Sequence, residues 1–164
     1  GPVNVVGGYW STGVFSGTMA DFKVFNTALS SAQVKQMYDD SKVIIPAGIE
    51  FSDLDLWYSM AEGTGTIAYD GSGLAGSANN PGIGQNFNDD EFLSGQNGCP
   101  QLLTGYNRPL KFASGDYVNV PVVGGSTGPL AIGTNDFTVC GWWFGDPSQT
   151  QGPNLFMQFS DLRS

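Results

Sequence analysis

Asp53 and Asp55 alternate along one apolar run, which sets both carboxylates on the same face of a strand. Paired carboxylates can cleave a glycosidic bond when one serves as acid and the other as nucleophile or base at a defined separation. The plain alternative is a solvated strand face. Asp70 opens a Gly-Ser-Gly turn. Its carboxylate and the oxygens of residues 71–80, Asn79 among them, could supply the roughly six to eight hard ligands that calcium takes. The same aspartate reads as an Asx turn. Asn86-x-Asn88-x-Asp90 also alternates oxygens but lacks the glycine and distal Glu of an EF-hand loop. Trp57, Trp142 and Tyr106 are candidates for stacking on a sugar ring, with Trp10 and Trp143 as further aromatics. Trp142 and Trp143 are adjacent in a strand and must point to opposite faces, so one belongs to a core. Gly71-Ser-Gly73-Leu-Ala-Gly76 satisfies a dinucleotide-binding pattern, but Ser77-Ala-Asn-Asn-Pro81 cannot start the helix that pattern requires.

Composition removes other chemistries. The 164 residues contain no histidine, so the usual neutral-pH base and the commonest metal ligand are missing. With 6 basic and 15 acidic residues the net charge is −9, which leaves no basic surface for nucleic acid and repels an anionic membrane. No apolar run reaches the length of a membrane span. Cys99 and Cys140 either form one disulfide or stay as two thiols. No leader peptide is visible at the Gly-Pro-Val-Asn start, which a mature or excised chain would share.

The elements that must position these groups are short strands. Glycine (24) and proline (9) punctuate the apolar runs, and turn-forming Asp outnumbers Glu by 12 to 3. Residues 13–25 read as a strand, a turn near Gly17 and a second strand, with Ala20, Phe22 and Val24 on one face and Asp21, Lys23 and Phe25 on the other. A helix follows: Ser30 and Gln33 have capping-box spacing, Leu29 can staple to Val34, and Val34, Met37 and Tyr38 form its apolar face. Asp39-Asp40 ends it. Residues 43–49 read as a linker or edge segment interrupted by Pro46. Further strands are expected at 53–60, with Leu54, Leu56, Tyr58 and Met60 on one face, and at 66–69, 110–113, 117–121, 137–144 and 154–159. The stretch 71–109 shows no clear strand. This pattern predicts an all-β, antiparallel β-sandwich of the jelly-roll kind with one short helix.

Residues 53–73 resemble the opening of laminin-G-like, concanavalin A-like jelly-roll domains: an apolar Trp57-Tyr58 strand, an acidic-Gly-x-Gly turn, then Asp70-Gly-Ser-Gly73. Residues 110–120 and 135–143 are similar to that family's next two strands, and residues 15–30 to its closing signature. The closing signature comes first here, and the family's central strands are missing. The resemblance therefore implies closing strands and helix of one unit (1–42), a linker (43–52) and the opening strands of a following unit (48–164), or else one circularly permuted domain. The tandem segment is the preferred reading. The resemblance also implies a calcium ion near Asp70, with Asp21 as second carboxylate. Laminarinase-type glycosidases share this fold, but their Glu-x-Asp-x-Glu is absent: Trp57 stands where its last Glu would be, and Glu50 is out of register.

The expected function is a non-catalytic extracellular structural or adhesion module within a larger surface appendage, filament or virion-surface protein. The alternative is a calcium-assisted carbohydrate-binding module of a secreted enzyme. Residues 13–25 should pair with a 53–60 strand, either their own or, as favoured, a neighbouring copy's, which would make other copies of the chain its partners.

Overall fold

The computed structural model describes residues 4–7, 15–62, 65–72, 80–87, 110–113, 115–120, 134–148 and 156–158. Two antiparallel sheets face each other. One has five strands in the order β4(Ile67–Ala68), β5(Gly82–Gln85), β7(Tyr117–Val120), β1(Asn4–Val6), β9(Phe156–Gln158). The other is built on β2(Gly17–Phe25), which pairs with β3(Leu54–Tyr58), β6(Leu110–Phe112) and β8(Thr138–Gly145). Gly17 is opposite both Phe112 and Gly145, and Lys23 is opposite both Trp57 and Cys140. So β8 runs along one side of β2, while β3 and β6 lie end to end along the other. Among the described residues this is the all-β sandwich with a single short helix that the sequence predicts.

Val6, Phe15, Met19, Phe22, Val24, Leu56, Tyr58 and Phe112 fill the space between the sheets with Val118 and Val120. A second apolar cluster covers the outer face of the β2 sheet. There Phe25, Met37 and Leu54 meet Leu29, Ile44, Ile45 and Ile49. Residues 43–49 are therefore a lid on this face and not a bare linker. The helix α1(Ser31–Asp39) lies over the same face and starts as predicted, with the Ser30–Gln33 capping box formed in both directions. Only Met37 of its apolar face is buried, while Val34 and Tyr38 are exposed.

Two bulges change the predicted faces. Between Ala20 and Lys23 the pairing with β8 slips by one residue, at Asp21, whose φ is 55°. Ala20 consequently sits opposite Trp142, away from Phe22 and Val24. The β2–β3 pairing slips again at Val24/Phe25, which turns Leu54 to the outer cluster while Leu56 and Tyr58 face inward. Asp53 belongs to a 3-10 turn, Phe51–Asp53, and its carboxylate accepts from the Glu50 N–H at 3.0 Å, so it does not share a strand with Asp55. No turn forms at Gly17. The residue opens β2 at φ 149°, and an added Cβ would collide with the Phe144 carbonyl of β8.

β1 and β5 were not expected. β5 reads Gly-Ile-Gly-Gln, too short and glycine-rich to show a period, yet both glycines are closely packed. A methyl on Gly82 would strike Val118 Cγ1 and the Tyr58 ring. Gly82→Ala should therefore lower stability by about 1–3 kcal/mol in urea unfolding. Its exposed neighbour Ile83, replaced by Thr, should change it by less than about 0.5 kcal/mol.

Candidate functional site

Trp57 gathers the polar groups that the sequence singles out. Its indole N–H donates to Asp21 Oδ1 at 2.8 Å, and its backbone N–H donates to Asp70 Oδ1 at 3.1 Å. Its carbonyl accepts from the Gly71 N–H at 2.8 Å. Asp21 and Asp70, proposed as a calcium pair, thus approach the same residue from different sides. Each is engaged by donors of the chain itself. Asp70 Oδ1 also accepts from the Ser72 N–H (2.9 Å) and hydroxyl (2.6 Å), the Asx turn of the plain reading, and Oδ2 accepts from Asn80 at 3.4 Å. The Tyr58 hydroxyl donates to the Asn80 carbonyl at 2.8 Å. Burial, and then the charge of Asp70, push that phenol above its ordinary range.

Asp21 Oδ2 lies 2.7 Å from Lys23 Nζ, and both side chains are almost fully buried. The bulge makes this contact: a left-handed aspartate folds its carboxylate back over the next residue but one. The ammonium also stands 5.9 Å from the centre of the Trp57 ring. Gly71 packs so closely on that ring that a Cβ would lie 2.5 Å from Cε3.

Above the ion pair lies a small cleft of about 120 Å³ between α1 and β8. Asp21, Lys23 and Cys140 line it, together with Met37, Tyr38 and Trp142. Tyr38 and Trp142 stack with ring centres 5.4 Å apart at 28°. Cys140 carries a free thiol. Burial pushes its pKa up to about 11, with Lys23 pulling down and Asp21 pushing up, so the thiol is protonated and a weak nucleophile at neutral pH.

The structure thus brings together Trp57, Trp142, Asp21 and, through Trp57, Asp70. Asn79 and Tyr106 lie outside the described residues, as do Trp10, Cys99, Asn88 and Asp90. Asn86 donates to the Gly115 carbonyl at 2.8 Å. Among the described residues no group of three or more His, Cys, Asp or Glu could hold a metal ion, and no helix is long and apolar enough to cross a membrane. Lys23, Tyr38 and Cys140 were not expected at a site. The available signal was a lysine set inside Phe-Lys-Val-Phe, two residues after an aspartate. Compared with known proteins, the chain matches no family model, no curated sequence and no solved structure.

Removing one partner of a buried ion pair leaves the other charge unpaired. Lys23→Met should cost about 3–5 kcal/mol. Adding Asp21→Asn, which tolerates the left-handed backbone, should recover part of that loss in thermal unfolding. At pH 8 native Cys140 should be alkylated about a hundredfold more slowly than a thiol of pKa 9.0. The stability contributed by its raised pKa is present below pH 9.0 and is lost as pH rises through about 11.

Proposed function

We propose that this chain is a non-catalytic structural and adhesion module of jelly-roll type, a segment of a larger repeat-containing extracellular assembly such as an appendage, filament or virion surface. One observation carries the reading. β8 is joined to β2 along one side, and no described strand pairs with its other side. Around it Phe137, Trp143 and Phe144 are 49%, 55% and 46% exposed. An uncharged, apolar sheet edge is a surface for another strand. The internal engagement of Asp21, Lys23 and Asp70 also supports it, since these charges serve the fold and leave little for catalysis.

A second reading, a calcium-assisted carbohydrate-binding module, is favoured by the Tyr38–Trp142 stack beside the polar floor of the cleft. An aromatic wall with a few polar groups suits a pyranose ring.

Sedimentation across a concentration range, together with a glycan array with and without chelator, separates the two. The structural reading expects self-association and no chelator-sensitive sugar binding. A sugar bound only with calcium, with a chelator-lowered melting temperature in the wild type that is absent in Asp70→Ala, would establish the second reading instead. Calcium at about a hundred times its Kd would stabilise the fold by about 2.7 kcal/mol.

A further inference from the structure

Resting on the structural reading, we propose that β8 pairs antiparallel with β8 of a second copy, about a two-fold axis at Gly141. The faces of β8 are fixed by what it touches. Val139 packs against the core between the sheets, and Cys140 packs against the outer cluster. By alternation Gly141 and Trp143 share the inner face with Val139, whereas Trp142 and Phe144 share the outer face with Cys140. Directly opposed residues of an antiparallel pair lie on the same face. A continuous two-copy sheet must therefore oppose odd residues to odd and even to even.

Centring the pair on Gly141 gives a size-complementary ladder. Trp143 faces Val139 of the second copy, Trp142 faces its Cys140, and Phe144 faces its Thr138. Each large side chain of the C-terminal half meets a smaller one of the N-terminal half. This order of residues in one strand points to a copy of itself as the occupant. Moving the axis to Trp142 would oppose two indoles, each already stacked on a Tyr38.

The pairing also answers the exposure of Trp143. That ring is on the inner face, opposite Met19 in the register, yet it is 55% exposed while Met19 is 1% exposed. Beside Trp143 the core stops at β2, and the C-terminal end of β8 overhangs it. Residues 137–145 carry no charge, so the ladder can be desolvated without stranding an ion. Asp136 and Asp146 flank it and would confront each other at both ends. They limit its length, and screening by salt should strengthen the association.

The test uses the full chain with Cys99→Ser throughout. Opposed residues of an antiparallel pair are separated by a distance a disulfide can span. Under mild oxidation Trp142→Cys should give a covalent dimer through Cys140 of the second copy, which a further Cys140→Ser abolishes, and Phe144→Cys should not. Without oxidant, Trp143→Lys should weaken dimerisation by at least about tenfold at unchanged circular dichroism and melting temperature. Covalent dimer from Phe144→Cys and not from Trp142→Cys would overturn the Gly141 register. Association that Trp143→Lys leaves intact would overturn the β8 interface while sparing the assembly reading. A wild-type chain that stays monomeric at high salt and binds a sugar would overturn both.

Discussion

A lysine lies in the middle of the central strand of the β2 sheet, and the register slip at Asp21 decides where its charge goes. With Met19 pointing between the sheets, strict alternation would send Asp21 and Lys23 inward and expel Phe22 and Val24. One extra residue at Asp21 reverses the faces beyond it. Phe22 and Val24 then join Met19 in the core, and Lys23 turns to the outer face, where the Asp21 carboxylate meets it. The bulge and the ion pair are therefore one device. Gly141 makes it sterically available, because a Cβ there would lie 3.3 Å from the Phe22 Cα and 3.4 Å from the Asp21 carbonyl. The remaining carboxylate oxygen holds the Trp57 indole, which fixes β3 against the bulge.

Both sheets are completed by the first part of the chain. β1 lies between β7 and β9, and β2 lies between β8 and the β3–β6 line. Residues 17–25 thus pair with the 54–58 strand of their own chain, the intramolecular option of the two. Closing such a sandwich needs contacts far apart in sequence. The Thr138 hydroxyl accepts from the Leu29 N–H and donates to the Thr27 carbonyl, tying the approach to α1 to a strand 109 residues later. Folding dominated by such pairings is slow and depends on late-made strands.

Particular residues show how much of this was legible. Ser30 and Gln33 announce the helix because a capping box is a local interaction, readable from spacing alone. Leu56, Tyr58, Phe112 and Val118 announce strands by alternation. Leu54 and Ala20 could not be placed, because each follows or precedes a bulge that depends on what the partner strand does. β5 was invisible because Gly82 is there to admit Tyr58 and Val118, which are remote in sequence. At the site, Asp21, Asp70 and Trp57 were each singled out separately. Their meeting at Trp57 is a property of register, while Tyr38 of α1 and Cys140 of β8 are brought to the site by packing.

The charge balance and the β8 edge belong to the same argument. Lys23 and Asp21 cancel each other inside the fold, so the buried pair leaves the chain's net charge of −9 unchanged. At physiological ionic strength repulsion is screened beyond about 8 Å, so copies can approach but gain nothing from loose contact. Only short-range forces can hold them: main-chain hydrogen bonds along an edge and burial of apolar rings. Both occur together at β8, where the overhanging strand leaves its backbone edge and its inner-face indole open among the described residues. In the proposed dimer, like charge disfavours contacts that bring acidic surfaces together and leaves the one in which an uncharged strand meets an uncharged strand.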